Sequence, residues 1–144
     1  DPLGAKVPRA VRMPAERPNL AEAAIFYDAT LAHDLKNGPL DLALLGVGED
    51  GHICALFPGH RALLVDDIRV VAIDDAPKPP PRRLSLTLRY VMQSRQIWLI
   101  AVGPRKLPAL QMALTRTQRS TPLDLLLQQG KNVTVFTDQV IRRG

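Results

Sequence analysis

A histidine and an aspartate lie two residues apart in a glycine-rich stretch, residues 46–52, directly after an apolar run. Histidine is the side chain best suited to proton transfer near neutral pH, and a nearby carboxylate can orient its ring. In open α/β sheets, ligands bind at the carboxyl ends of strands. We therefore predict a functional site containing Asp50 and His52. The alternative is a satisfied structural histidine after an ordinary turn.

Three glycines, Gly46, Gly48 and Gly51, surround this pair in the sequence. Glycine permits tight turns and positive φ, so backbone N–H groups can approach a bound ligand closely. The glycines are therefore candidate ligand-binding positions. A glycine-rich turn after a buried strand is also common without any ligand, and the pattern G-x-G alone is weak support.

Cys54 is the only cysteine, two residues after His52. A Cys–His nucleophile is one interpretation, but the apolar neighbours favour a buried packing role. No internal disulfide is possible, and we expect a cytoplasmic protein in a reducing setting.

The elements that would hold this site alternate between strand and helix. The apolar run predicts a strand over 41–46 with both faces covered. A helix over 20–36 precedes it, with Asn19 and Glu22 as its cap. Such alternation predicts an α/β fold with a parallel sheet.

Periodicity and turn residues predict the other elements. An irregular lead-in covers 1–18, and Ser120, Thr121 and Asp124 cap a helix that begins at Pro122. Trp98 is expected in the core, and His33 and His60 on the surface. The other predicted strands are 68–73, 84–88, 96–102 and 133–136; the other predicted helical segments are 53–57, 89–95, 103–116 and a brief one from 138.

Composition limits the functional class. The chain has 144 residues, 46% of them hydrophobic, and no apolar run approaches the about 20 residues that span a bilayer. The net charge of +5 raises the possibility of nucleic-acid binding, but the basic residues are scattered and aromatic residues make up only 4%. We attribute the charge to the solvated surface and to attraction for an anionic substrate.

Three blocks of sequence carry a family resemblance. Residues 46–52 (GVGEDGH) with 56–59 (LFPG) resemble the signature of the 6-phosphogluconolactonases, and glucosamine-6-phosphate deaminases share its first half. Residues 78–87 (KPPPRRLSLT) resemble the second family block, and residues 102–106 (VGPRK) the third. The order and spacing of these blocks make the resemblance specific, and it extends over nearly the whole chain.

The resemblance implies a three-layer αβα, Rossmann-like fold with a mostly parallel sheet. Residues 1–144 would be a single domain equivalent to the carboxyl-terminal part of such a fold, without the family's first strands, its Ser/Gly/Thr-rich phosphate loop or its Asp-Glu-Arg segment. A sheet without its first strands exposes an apolar edge or face. We therefore expect a homo-oligomer, or association through the incomplete sheet.

The resemblance also implies an activity: hydrolysis of 6-phospho-D-glucono-1,5-lactone to 6-phosphogluconate in the pentose phosphate pathway. His52 is then the general base, and Asp50 either orients it or caps the loop through backbone amides. Backbone amides of residues 46–51 could stabilise the oxyanion.

Cations are needed for the 6-phosphate of such a substrate. Arg83 can bind it as a fork and Lys106 as a point charge at a helix start. Lys78 is a candidate site residue or a loop residue, whereas Arg82 and Arg105 are expected to face solvent, as is Glu49. No cofactor and no metal are expected, and neither a nucleic acid nor a membrane is an expected partner.

Three rivals remain. In the deaminase branch, a glutamate stands five residues after the histidine, where this chain has Phe57, so lactone hydrolysis is preferred. A non-catalytic fragment that binds sugar phosphates is the second rival, because the amino-terminal portion of the family pattern is absent. A nucleic-acid-binding module is the third.

Overall fold

The computed structural model of the chain describes residues 10–115 and 120–141. The α-helices in these ranges are α1 (Leu20–Asp34), α2 (Leu88–Met92), α3 (Leu107–Thr115) and α4 (Pro122–Gln129). The strands are β1 (Leu42–Gly46), β2 (Val70–Ile73), β3 (Arg83–Leu86), β4 (Gln96–Ile100) and β5 (Val133–Phe136). Short 3-10 helices cover Arg61–Leu64 and Pro104–Lys106. None of the described helices combines the length and apolar character that crossing a bilayer requires.

A parallel sheet forms the centre of the molecule. Its strand order is β1-β4-β5, and β4 pairs in parallel with both neighbours. Strands β2 and β3 form a separate antiparallel pair. The predicted α/β fold with a parallel sheet is therefore confirmed. Because parallel strands end at the same edge, the loops after β1 and β4 leave the sheet side by side.

Two hydrophobic clusters hold these elements together. In the larger one, alternate residues of β1 and β4 pack with apolar residues of the helices on one face of the sheet: Ala43, Leu45, Ile97, Leu99, Val91, Leu110, Leu123 and Leu126. In the smaller one, α1 covers the β2–β3 pair: Leu20, Ala23, Ala24, Tyr27, Val70 and Leu84. The helices therefore bury one face of each sheet.

The other face of the parallel sheet exposes apolar side chains to solvent. Leu44 is 65% exposed, Trp98 38% and Phe136 42%, and Leu44 pairs with Trp98 in the strand register. The predictions that β1 is covered on both faces and that Trp98 lies in the core are therefore wrong. An apolar run shows that a strand can be buried, but it does not show which faces are covered. Among the described residues, α2, α3 and α4 supply the only helical layer in the sheet's core cluster, so the second layer of the predicted three-layer arrangement is not seen.

Two predicted helix caps are confirmed. The Asn19 side chain accepts a hydrogen bond from the Glu22 amide at 3.2 Å, and α1 begins at the next residue. At α4, Thr121 accepts from the amide of Asp124, while the Asp124 carboxylate accepts from the amide of Thr121, forming a reciprocal capping box. The cap residues therefore determine where both helices begin.

Several local predictions are wrong. Residues 53–57 form a turn rather than a helical segment, because Cys54 has φ 53° and Ile53 bridges to both Val47 and Leu56. No helix starts at residue 138 within the described stretch that ends at 141. The predicted strand 84–88 ends at Leu86, since Thr87 caps helix α2 through its hydroxyl.

Other boundaries agree with the sequence or fall outside the description. Residues 10–18 are irregular, as predicted for the lead-in, whose first nine residues lie outside the described ranges. The predicted helix over 103–116 is a 3-10 turn followed by α3, and its residue 116 also lies outside. His33 is exposed as predicted. The prediction that His60 lies on the surface without partners is wrong: its Nδ1 accepts from the Ala62 amide, and its Nε2 lies 2.9 Å from Asp75 Oδ1.

Candidate active site

The loop that follows β1 is closed by its own backbone. The Gly48 amide donates to the carbonyl of His52 at 2.8 Å, and the Gly51 amide donates to the carbonyl of Gly48 at 3.0 Å. These two bonds reverse the chain immediately after Gly46, where the strand ends. The side chains of Asp50 and His52 are thereby brought together at the carboxyl edge of the sheet, as the sequence predicts.

His52 and Asp50 form a directly bonded pair. His52 Nδ1 lies 2.5 Å from Asp50 Oδ1, and the His52 side chain is 22% exposed. An ionised carboxylate can only accept a hydrogen bond, so the proton of a neutral ring is held on Nδ1. Nε2 then keeps its lone pair and is the nitrogen that can accept a proton from water. This is the geometry of a histidine base oriented by a carboxylate.

Lys78 contacts the same carboxylate from another part of the chain. Its Nζ lies 2.7 Å from Asp50 Oδ2, so the two oxygens of Asp50 are shared between an ammonium and an imidazole. Partial burial raises the pKa of Asp50, but the hydrogen bonds from Lys78 and His52 outweigh it and hold that pKa well below its ordinary range. Asp50 is therefore ionised throughout the neutral range.

An aromatic ring and a guanidinium lie behind the histidine. The Phe57 ring centroid is 4.6 Å from that of His52, and the Arg83 guanidinium carbon lies 5.2 Å from the Phe57 centroid. Arg83 also donates to the backbone carbonyls of Lys78, Pro79 and Pro80, through Nε and Nη2. The predicted phosphate fork is thus partly occupied by protein carbonyls; among the described residues, only Nη1 is left without an acceptor.

The loop after β4 reaches the same edge of the sheet. Arg105 Nε lies 3.2 Å from Glu49 Oε1, and both side chains are largely in solvent, as predicted. Lys106 follows on the same 3-10 turn, which Gly103 opens with φ 95°. The turn that carries Lys106 therefore lies beside the loop of His52, while the role of Lys106 in phosphate binding stays a prediction.

Of the three predicted glycines, two have a structural requirement. A Cβ on Gly48 would lie 1.9 Å from His52 Nδ1, and a Cβ on Gly51 would lie 2.9 Å from the Thr121 hydroxyl oxygen, at φ +80°. A Cβ on Gly46 would meet no atom within 4 Å. The Gly48 and Gly51 amides are bonded inside the loop, whereas the amides of Glu49 and Asp50 have no acceptor among the described residues.

Cys54 is not an activated thiol. Burial raises its pKa to about 11, so the thiolate is scarce at neutral pH. It packs against the main hydrophobic cluster. The packing interpretation is therefore supported over a Cys–His nucleophile.

Sequence reasoning left the role of Lys78 open and missed that of Phe57. Lys78 lies 28 residues after Asp50, so no local spacing indicates their contact. In the sequence, Phe57 is visible only as a departure from the deaminase pattern, yet it is 1% exposed and its ring lies against that of His52. The apolar context of Phe57 predicts its burial, but the partner ring is visible only in the fold.

A separate groove of about 750 Å³ lies at the opposite, amino-terminal end of the sheet. Its lining includes Met92, Arg95, Leu125 and Lys131, and it contains no histidine. It therefore lacks the proton-transfer group that distinguishes the edge with His52.

The chain is similar in sequence to known proteins. The sequence profile described as glucosamine-6-phosphate isomerases/6-phosphogluconolactonase matches residues 2–136. A 6-phosphogluconolactonase of Mycobacterium tuberculosis is 44% identical over 100 residues, covering 67% of this chain and 40% of that protein. One of Rattus norvegicus is 36% identical over 103 residues, covering 72% of this chain and 40% of that protein.

Solved structures show the same fold. A 6-phosphogluconolactonase structure from Trypanosoma brucei superposes with a TM-score of 0.70 at 26% identity, covering 91% of this chain and 54% of that chain. One from Thermotoga maritima gives 0.66 at 27% identity, covering 83% and 51%. The chain thus spans about 40% of the length of these curated relatives and about half of these solved chains.

Proposed function

Since the chain belongs to the glucosamine-6-phosphate isomerase/6-phosphogluconolactonase family, we propose that it hydrolyses 6-phospho-D-glucono-1,5-lactone to 6-phosphogluconate. Residues 1–144 would act as one domain, equivalent to the carboxyl-terminal part of a longer lactonase. The observation that carries this proposal is the 2.5 Å contact between His52 Nδ1 and Asp50 Oδ1, which leaves Nε2 as a base.

In the proposed reaction, His52 Nε2 accepts a proton from water as the water oxygen attacks the lactone carbonyl carbon. The carbonyl oxygen becomes an oxyanion in the tetrahedral intermediate. When the intermediate collapses, the ring C–O bond breaks, and the imidazolium returns the proton to the departing ring oxygen. The products of the step are one hydroxyl group and one carboxyl group, and the base is regenerated.

Two further groups complete the proposed site. The amides of Glu49 and Asp50 are available to donate to the oxyanion, since they have no acceptor among the described residues. Lys106 and the Nη1 side of Arg83 supply positive charge for the 6-phosphate. The assignment to Lys106 is supported by its place one residue after Arg105, whose Nε lies 3.2 Å from Glu49 Oε1 of the site loop.

The deaminase alternative is disfavoured by Phe57. The position at which that branch has a glutamate is here a buried ring, 1% exposed and stacked on His52. A carboxylate needed for ring opening and proton transfer is therefore absent from this position. The non-catalytic alternative is favoured by one observation: the chain covers only 40% of the curated relatives.

We also propose that the chain self-associates through the exposed face and free edge of its parallel sheet. Leu44 and Leu42 lie on β1, which pairs only with β4 among the described strands, and the strand carries no charged residue that would discourage edge pairing.

A cytoplasmic location is part of the proposal as well and rests on the unpaired Cys54; relatives from Oryza sativa are named chloroplastic.

The decisive experiment compares lactone hydrolysis by the purified chain and by its His52→Ala variant, corrected for spontaneous hydrolysis. Loss of the base should lower the catalysed rate by about 10²–10⁴-fold. The control, His33→Ala, removes an exposed histidine of α1 and should leave the rate unchanged. Ammonia release from glucosamine 6-phosphate would contradict the proposal, as would thermal protection by 6-phosphogluconate without any turnover.

A further inference from the structure

Two residues of the second family block, residues 78–87, reach the His52–Asp50 pair by different routes. Lys78 reaches Asp50 directly, with Nζ 2.7 Å from Oδ2, while the opposite oxygen of that carboxylate holds the His52 ring. Lys78 is 47% exposed and belongs to a loop without regular secondary structure. Something must therefore hold the backbone of that loop if the ammonium group is to stay over Asp50.

Arg83 supplies that support. Its Nη2 donates to the Lys78 carbonyl at 2.9 Å and to the Pro79 carbonyl at 3.2 Å, and its Nε donates to the Pro80 carbonyl at 3.0 Å. The same guanidinium covers the Phe57 ring, whose other neighbour is His52. One side chain thus fixes both the loop that presents Lys78 and the ring that backs the histidine.

We propose that Lys78 and Arg83 are positioning residues for the His52–Asp50 pair: Arg83 holds the 78–80 backbone, Lys78 holds the Asp50 carboxylate, and Asp50 holds the His52 ring. This inference deepens the proposed lactonase function and rests on it for its catalytic consequence. Its structural and electrostatic part stands independently. Neither residue needs to contact the substrate for this role.

Two effects follow from the geometry. A carboxylate held from both sides cannot rotate away from the imidazole, so Nε2 keeps a constant direction toward its substrate. The ammonium also offsets the negative charge of Asp50, which limits how strongly that charge stabilises the protonated ring.

The charged and titratable groups around His52 come from three segments. Its own loop contributes Asp50 and Cys54, and the segment leading into β3 contributes Lys78 and, across the Phe57 ring, Arg83. Glu49 is turned toward Arg105 of the third segment at 3.2 Å. Lys78 is the cation in direct contact with the carboxylate, so its removal isolates the proposed effect.

The experiment follows the histidine ring by NMR in the full chain and in Lys78→Met and Lys78→Arg variants. In Lys78→Met, the His52 ring should become protonated at higher pH than in the unchanged chain, because the Asp50 charge is no longer offset. The Nδ1 proton bonded to Asp50 should also exchange faster with water. Lys78→Arg keeps the charge and should restore both readouts. His33→Gln and His60→Gln variants assign the three ring signals.

The matched control is Lys131→Met, which removes one exposed lysine at the opposite end of the sheet and should leave the His52 titration unchanged. Kinetics add a second readout: Lys78→Met should lower kcat by about 10–100-fold with little change in KM. The acid limb of the pH–rate profile of this variant should also move to higher pH. An unchanged ring titration and proton exchange in Lys78→Met would overturn the inference. If no variant hydrolyses lactone while the ring titration shifts as expected, the positioning role stands and the proposed function fails.

Discussion

At the scale of single residues, the site depends on the absence of a side chain as much as on its functional groups. Gly48 has its Cα so close to the histidine that an added Cβ would lie 1.9 Å from His52 Nδ1 and 2.6 Å from Asp50 Oδ1. Both distances are shorter than any real contact of a Cβ atom. Because a methyl group cannot turn away, the side chains of His52 and Asp50 would have to move. The observed position of the His52–Asp50 pair therefore requires glycine at residue 48.

We expect Gly48→Ala to displace the ring from its carboxylate and to lower lactone hydrolysis by about 100-fold, the loss typical of a reacting group misplaced by about 1 Å. The resonance of the Nδ1 proton bonded to Asp50 should disappear from the NMR spectrum. Gly46→Ala is the comparison, because its Cβ would meet no atom within 4 Å. That variant should retain the resonance; its loss in both variants would show that the loop tolerates no alanine and that the clash is not the cause.

The pairing of Asp50 with His52 could be predicted because two residues in a glycine-rich loop are close whatever the rest of the fold does. The contact of Asp50 with Lys78 could not, since it depends on how the loop before β3 folds back over the loop after β1. The use of Arg83 illustrates the same limit. Its charge suggests a phosphate ligand, but its carbonyl partners at Lys78 and Pro80 are chosen by backbone geometry that residue type does not encode.

At the scale of elements, helix α4 connects its own cap to the site loop. The amide of Leu123 in its first turn donates to the Gly51 carbonyl at 3.1 Å. Asp124 is 3% exposed and accepts from the Ser120 amide, the Ser120 hydroxyl and the Thr121 amide. The cap at the start of α4 therefore also positions the Leu123 amide, which donates to the loop of His52.

Replacing Asp124 by alanine removes the acceptor for these three bonds. We expect the free energy of unfolding to fall by about 1–3 kcal/mol, the combined effect of a lost cap and of partly buried donors left without their acceptor. Urea denaturation followed by circular dichroism would measure the change. Asp67→Ala removes an exposed carboxylate and should leave the midpoint unchanged. Equal midpoints for both variants would contradict a structural role for the cap.

Elements with explicit end signals were the ones that the sequence predicted well. Asn19 and Thr121 each satisfy amides of the helix that follows, so their side chains specify its first residue. The turn at 53–57 was misjudged because its apolar residues fit a helix, whereas bridges from Ile53 to Val47 and Leu56 hold it in another form. The end of β3 was misplaced because Thr87 fits a strand alternation and a helix cap equally well.

At the scale of the whole molecule, the parallel sheet is apolar on both faces, and the described helices cover one of them. Leu44, Trp98 and Phe136 occupy three neighbouring strands on the open side, and Trp98 meets Phe136 edge to face with ring centroids 5.4 Å apart. The sequence predicted an exposed edge or face of the sheet only because residues 1–144 do not match the first strands of the family. It could not tell which residues would line it, since Trp98 in an apolar run is typical of a core residue.

An open apolar sheet next to an unpaired edge favours self-association, because burying that surface removes it from water and supplies partners for the backbone groups of β1. We expect the purified chain to sediment as a dimer or larger species and the Leu44→Lys variant to sediment as a monomer with an unchanged circular dichroism spectrum. Leu44 is the test position because it is 65% exposed and lies at the centre of β1. Ile25→Lys places the same charge on the exposed side of α1, where the residue is 70% exposed, and should leave the oligomeric state unchanged. A wild-type chain that sediments as a monomer at every concentration would contradict association through this face, whereas dissociation by Ile25→Lys alone would place the interface on α1.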